Sequence, residues 1–465
     1  MDTEAAAWLS PGDAAEIRRS LTSQFAEEFG HGPSGVWFAP GRANLNGEHV
    51  DFHGGRCLPM ALAHGTYVAA APRTDGLLYL RTLEPSLDAG VQRVCISEVT
   101  SGPDADVHTI TDEQPCGWTK YVGGTLWALR ALGEEIEELA VDESFGADLL
   151  ITSTLPVGGG LSSSAALECS TMLAFVAMAT PLGRANPGAA LDDALTDKLR
   201  ARLAAACVRA EVEMVGAGTG GLDQTVSLRG RAAHLLSLDC RDFTVERIPA
   251  SGLLADHRFV AVDTGQAHWL GDGQFDDRRA DSEAAMRLLE VERLRDLLPE
   301  RPGTADVAAV LRRFDERAGA GETLPSPVDG VPARDRAACR RRLRHALTEM
   351  VRSEELHGFL SDDELDAEST AMLVGNLMTA GHASMRDEAE VSFPAANTVV
   401  ETAVEKGAPG ARLIGGGFGG SALILCRAED VATITGAVAS ACEEAGQQVP
   451  RFLEIAPSDP AHVIA

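Results

Sequence analysis

The 465-residue chain carries 45% hydrophobic and 23% charged residues, an ordinary balance for a globular protein of two domains with a substantial core. A net charge of −29 argues against a broad nucleic-acid surface or an anionic membrane face, so an anionic ligand needs a local device to hold it. Nine scattered cysteines without a CxxC pair read as reduced thiols of a cytoplasmic protein; the first twenty residues lack the pattern of a secretory signal, and no apolar run is long enough to cross a bilayer.

Taken in chain order, β-branched and aromatic runs predict strands over 36–39, 67–71, 77–81, 91–96 and 148–152. Helical periodicity follows over 118–132, 162–179 and 195–215. Strands over 232–238 and 259–263 lead into a helix-rich second half, with a Gly/Pro-rich surface loop over 318–332. Helices over 340–356, 368–380 and 395–404 precede a strand (422–426), a helix (431–445) and a last strand (451–455). There is no internal repeat and no regular βαβ alternation, so the expected class is α+β in two lobes.

Four segments carry chemistry. In residues 39–62 (APGRANLNGEHVDFHGGRCLPMAL), Arg42, Asn44, Glu48, His49 and Asp51 crowd between glycines after a strand. Carboxylates and imidazole on a loop suit sugar hydroxyls as acceptors, although a solvated polar turn would look the same. In residues 155–168 (LPVGGGLSSSAALE), a strand runs into three glycines and a serine-opened helix. Glycines admit an anion close to the backbone, and the helix start offers free N–H groups; a plain glycine turn with a serine cap is the alternative. No Lys follows these glycines, so this is not a Walker A loop. In residues 211–228, a helix bearing Glu211 ends in glycines that present Asp223 and Gln224, suited to orient or deprotonate a hydroxyl or simply to cap a turn. In residues 414–425 (IGGGFGGSALIL), a glycine loop feeds an apolar strand, fit for close approach to a ligand or for a tight β-turn.

Together these segments resemble the GHMP kinase superfamily, and galactokinases most closely. The galactokinase signature GRVNLIGEHTDYNGG is matched by residues 41–55, the superfamily loop PxGxGLSSSAA by 156–166, and GGGFGG by 415–420. Weaker echoes follow at 118–124 (WTKYVGG), 382–387 and 390–394. The resemblance implies a ribosomal-S5-like amino-terminal lobe (residues 1–230) and a ferredoxin-like carboxy-terminal lobe (231–465), with the site between them. It implies an ATP-dependent sugar 1-kinase acting on the anomeric hydroxyl of galactose or a related sugar, with Mg2+. By the same resemblance Asp223 faces that hydroxyl, and Arg42 holds Asp223 ionised and offsets charge on the transferred phosphoryl group. Glu48, His49, Asp51, the Gly220 backbone and Phe275 would contact the sugar. The triphosphate would lie on Gly158, Gly159, Gly160, Leu161, Ser162, Ser163 and Ser164, and Glu211 with Ser163 or Ser164 would hold the metal. The adenine would lie near Trp118. Small sugar and ATP are the expected partners, with no nucleic acid or membrane.

The chain also departs from the family pattern. Phe275 stands where galactokinases have a tyrosine, Asn46, Val50, Phe52 and His53 replace Ile, Thr, Tyr and Asn of the signature, and Ala389 and 395–397 also differ. These changes fall on the sugar side and point to another sugar or a cyclitol, for example in secondary metabolism. A third reading is a galactokinase-like sugar sensor; such sensors tend to lose part of the serine–alanine loop, which this chain keeps at residues 162–166.

Overall fold

The computed structural model describes residues 7–95, 117–266, 274–324, 333–362 and 364–465. Ile96 of one expected strand and residues 325–332 of the expected loop lie outside the described residues.

A six-stranded sheet runs in the order His462–Val463, Gly35–Asn44, Pro59–Arg73, Gly146–Ser153, Leu77–Thr82, Gln92–Cys95. Its pairings are antiparallel except between Leu77–Thr82 and Gly146–Ser153. The helices Thr119–Glu135, Ser163–Ala179 and Asp197–Ala210 pack on one face, burying Trp37, Val68, Leu149 and Phe175. The short helix Ala14–Phe29 covers the other face with Leu21 and Phe25.

A second, five-stranded sheet runs Ala7–Trp8, Arg451–Ile455, His257–Asp263, Ser421–Arg427, Gly410–Ile414. Side chains alternate across a strand, and here both faces are covered, which accounts for the continuous apolar runs read at 259–263 and 422–426. Phe259 and Ala261 face the helices Arg336–Leu360 and Ala367–Ser384, whereas Val260 and Val262 face Pro394–Glu405 and Val431–Glu444. A three-stranded antiparallel sheet, Arg56–Cys57, His234–Asp239 and Thr244–Pro249, adjoins them. The mixture of sheets and helices is the expected α+β class. No described helix is long and apolar enough to cross a membrane.

One difference bears on the site. The strand expected to stop at residue 39 continues to Asn44, with its register broken between Pro40 and Arg42. Arg42 and Asn44 therefore sit on a strand, not on a loop after one. Pro40 has no N–H for the ladder and Gly41 has no Cβ. A Cβ on Gly41 would lie 2.4 Å from the Leu161 carbonyl, so glycine lets the strand and the glycine-rich loop touch.

Candidate active site

Beyond Asn44 the chain turns sharply. Gly47 has φ 106°, and a Cβ there would meet the Cys57 Cα at 2.8 Å, so no other residue fits without displacement. His49 takes the left-handed region at φ 62°, an uncommon conformation for a side-chain-bearing residue and one that clusters at functional sites. The single turn Asp51–His53 follows. This tight path aims Glu48, His49 and Asp51 into one cleft.

Opposite them, the strand Gly146–Ser153 delivers residues 154–162 to the helix Ser163–Ala179. Ser162 sits at the cap position with φ 61°, yet its side chain makes no cap hydrogen bond. Its Oγ instead donates to Asp223 Oδ2. The helix start thus keeps its backbone donors for another acceptor, which suits an anion. The second glycine loop closes on the first: a Cβ on Gly415 would lie 2.8 Å from the Gly160 carbonyl, and Ser421 Oγ donates to the Gly159 carbonyl at 2.6 Å.

Asp223 lies in the first turn of the helix Leu222–Arg229, an element absent from those read in the sequence. Arg42 grips it with a fork: Nε donates to Oδ1 at 2.8 Å and Nη2 to Oδ2 at 3.1 Å, while Nη1 donates to the Gly160 carbonyl at 2.9 Å. One arginine thereby fixes the carboxylate relative to the phosphate-type loop. Glu211 starts a π-helical turn, Glu211–Val215, whose wider winding swings it inward. Gln224 Nε2 bridges Glu211 Oε2 at 2.5 Å and the buried Glu168 Oε2 at 3.0 Å.

The cleft encloses about 620 Å³. Five described carboxylates line it (Glu48, Asp51, Glu211, Asp223 and Asp276), against one guanidinium, Arg42. Burial works against the charge on Arg42, but Asp223, Glu48 and Asp51 override it and hold its pKa above the ordinary value. Burial pushes Glu48 up to about 7 although Arg42 and Arg412 pull it back. Asp51 is pushed up to about 6 by burial and then by Asp223. Glu211 is pushed up to about 7 by burial and then by Asp223, against hydrogen bonds from Gln224 and Ser164.

The structure brings together Arg42, Glu48, His49, Asp51, Gly158, Gly160, Ser162, Ser163, Ser164, Glu211, Asp223 and Phe275 around this cleft. Gly159 and Leu161 belong to the same loop but do not line it; Leu161 is buried beneath. Gly220 supports the cleft from behind: a Cβ there would lie 2.4 Å from Asp51 Oδ2. Trp118 packs against the core of the first sheet, and Tyr121, one helical turn on, is the aromatic side chain of that helix that lines the cleft. Phe275 stacks near His49, with ring centroids 5.2 Å apart. Sequence reading missed a second set, His345, Glu349 and Arg412, which lies under the Glu48 turn; the available signal was the polar series His345, Glu349 and Ser353 at four-residue spacing along one helix face.

No group of three or more His, Cys, Asp or Glu able to hold a metal occurs among the described residues. The donors at the cleft are carboxylate and hydroxyl oxygens, chiefly Glu211, Ser163 and Ser164. One carboxylate with hydroxyls and substrate oxygens is how Mg2+ is commonly held. The buried Glu168 Oε1 has no hydrogen-bond partner among the described residues, and its pKa is driven well up by burial and by Glu211, a like-charge repulsion that a bound cation would relieve. The donor set fits the ion.

Three family profiles match: the galactokinase galactose-binding signature over residues 23–72, the GHMP kinases N terminal domain over 120–231 and the GHMP kinases C terminal over 364–444. A galactokinase of Streptomyces coelicolor is 37% identical over 443 residues, covering 95% of this chain and 97% of the relative. A galactokinase of Chloroflexus aurantiacus is 32% identical, covering 89% of each. Among solved structures, Lactococcus lactis galactokinase complexed with galactose superposes with a TM-score of 0.73 at 26% identity, covering 96% of this chain and 99% of that one.

Proposed function

This chain belongs to the galactokinase family of GHMP kinases, and on that premise we propose that it transfers the γ-phosphoryl group of ATP to the anomeric hydroxyl of galactose. The observation that carries this reading is the convergence, in one cleft, of the Arg42–Asp223 fork, the Glu48–His49–Asp51 turn and the serine-opened helix. The match to the galactose-binding signature over residues 23–72 favours galactose over the other-sugar reading drawn from the sequence departures. The intact Ser162, Ser163 and Ser164 and the paired Asp223 favour catalysis over sensing.

In this reading the triphosphate lies along Gly158, Gly160 and the start of the helix Ser163–Ala179, where backbone donors and the helix dipole receive it. Glu48, His49 and Asp51 accept and donate to the sugar hydroxyls, and Phe275 gives an apolar wall. Asp223 takes the proton of the attacking hydroxyl or orients it, with Arg42 fixing the carboxylate and offsetting charge on the transferred group. Phosphoryl transfer asks for alignment and charge stabilisation above covalent help. Mg2+, held by Glu211 and a serine hydroxyl, would neutralise phosphate charge. We assign residues 1–230 and 231–465 to two lobes, with Ala7–Trp8 and His462–Val463 each pairing in the sheet of the other lobe, and the reaction to the cytoplasm, where the eight described free cysteines stay reduced.

The test is ATP consumption with galactose at millimolar concentration beside a panel of sugars and cyclitols. Galactose is expected to turn over with a KM in the usual micromolar to millimolar range. Phe275→Tyr should change kcat/KM for galactose by no more than about twofold to tenfold, the scale of one neutral hydrogen bond. Galactose inert while another polyol is phosphorylated would overturn the substrate, and no turnover with any acceptor would favour the sensor.

A further inference from the structure

Beneath the turn that carries Glu48 and His49 lies an ion pair with no access to solvent. Glu349, on the helix Arg336–Leu360, and Arg412, on the strand Gly410–Ile414, are both 0% exposed. Arg412 Nη2 donates to Glu349 Oε1 at 2.8 Å, and the same oxygen accepts from the Gly47 backbone N–H at 2.9 Å. Arg412 Nη1 donates to the Leu45 carbonyl at 3.1 Å and to Asn46 Oδ1. Asn46 Nδ2 donates to the Glu349 carbonyl at 3.1 Å and to Ser353 Oγ at 2.9 Å. Arg352 closes the other carboxylate oxygen, Nη2 to Oε2 at 2.8 Å. Every residue from 45 to 47 is therefore tied to the pair. The next residue is held too: His345 Nε2 lies 3.2 Å from the Glu48 carbonyl, and Glu48 Oε1 accepts from the Gly415 N–H at 2.8 Å.

Neither Glu349 nor Arg412 lines the cleft, so the pair is out of place as chemistry. As an isolated stabiliser it is also poor, because desolvating two charges costs much of what their attraction returns. Much of its hydrogen bonding goes to the turn, where Leu45 and Asn46 accept from Arg412 and Gly47 donates to Glu349; Arg412 also donates to the Leu413 carbonyl and to Met385 Sδ, each at 3.2 Å. We propose that Glu349 and Arg412 are positioning residues for sugar binding: acting through Gly47 and Asn46, they fix the turn so that Glu48 and His49 meet the sugar at the right height. Asn46, standing where the galactokinase signature has Ile, gives this chain polar ties that an aliphatic side chain cannot make. A displacement of about 1 Å in such a turn is enough to cost up to roughly a hundredfold in rate or binding.

The inference rests on the proposed sugar site at Glu48, so two sets of variants are compared by steady-state kinetics with galactose and ATP varied separately. Glu48→Gln tests the site itself; a galactose KM within twofold of wild type would overturn both readings. The double variant Glu349→Gln/Arg412→Met removes both buried charges together while leaving Gly47 an acceptor. It is expected to raise the KM for galactose about tenfold with the KM for ATP within about twofold, a split that general loosening of the fold would not produce. If the double variant does not fold, Asn46→Leu carries the test, with about a threefold rise in galactose KM expected. A galactose KM within twofold of wild type in the folded double variant, or in Asn46→Leu when the double variant is lost, would overturn the positioning role while leaving the sugar site standing. Equal rises in both KM values would overturn it as well.

Discussion

Asp223 is the residue on which the chemistry turns, and Arg42 and Ser162 both donate to it. Asp223→Asn keeps the shape and loses the charge. Turnover is expected to fall about a hundredfold or more, the usual scale for a placed acid or base, with ATP binding nearly unchanged; near-normal turnover would remove Asp223 from the mechanism. Glu48 gives a pH signature. Its carboxyl is pushed up to about 7, against an ordinary value of 4.5, so the folded protein holds a proton there across that interval. The stability this adds is present below about 4.5 and is lost as the pH rises through about 7. A sugar hydroxyl donating to the ionised form pulls the other way, so galactose should bind more tightly, and raise the melting temperature more, at pH 8 than at pH 6. Glu48→Gln should flatten that dependence; a persistent slope would assign it elsewhere. The cleft residues were legible because they stand in short dense motifs. Glu349 and Arg412 were not: Glu349 stands among the many charged residues of the helix Arg336–Leu360, Arg412 is a single polar residue in an apolar strand, and the first meets its partner at Gly47 across 302 positions.

At the scale of elements, the strands that are apolar without interruption and the long periodic helices could be read in advance. The strand Pro59–Arg73 was read only from residue 67, because Pro59, His64 and Gly65 punctuate its first half. The helix Gln274–Leu289 escaped because its Asp and Arg leave only a narrow apolar stripe, and Thr304–Ala318 escaped although Val307, Val310, Leu311 and Phe314 repeat at helical spacing. Close packing between elements is also invisible in a pattern. The helix Ala367–Ser384 meets the start of the strand Gly410–Ile414 backbone to backbone at Gly375, where a Cβ would lie 2.3 Å from the Pro409 carbonyl carbon. Gly375→Ala must push helix and strand apart, an overpacking cost of about 1–3 kcal/mol. Gly436, in the helix Val431–Glu444, is a matched control with nothing within 4 Å of such a Cβ. Gly436→Ala should be neutral or stabilise by up to about 1 kcal/mol through helix propensity. Chemical denaturation of both variants checks the pair, and equal effects would refute the contrast.

For the whole molecule, the net charge of −29 repels the nucleotide that the cleft must receive. Added salt screens that repulsion over a Debye length of about 10 Å at 0.1 M. The kcat/KM for magnesium-bound ATP should therefore rise, by about twofold or more, between 10 and 150 mM salt at fixed free Mg2+; a fall would mean that local attraction outweighs the global field. The two ends of the described chain give the molecule another property. Ala7–Trp8 lies beside Arg451–Ile455 in the second sheet, whereas His462–Val463 crosses back to pair with Gly35–Asn44 in the first. Each end is thus laced into the sheet that the opposite end of the chain mainly builds. A pull applied between them loads both sheets at once, through the two-residue pairings at Ala7–Trp8 and His462–Val463.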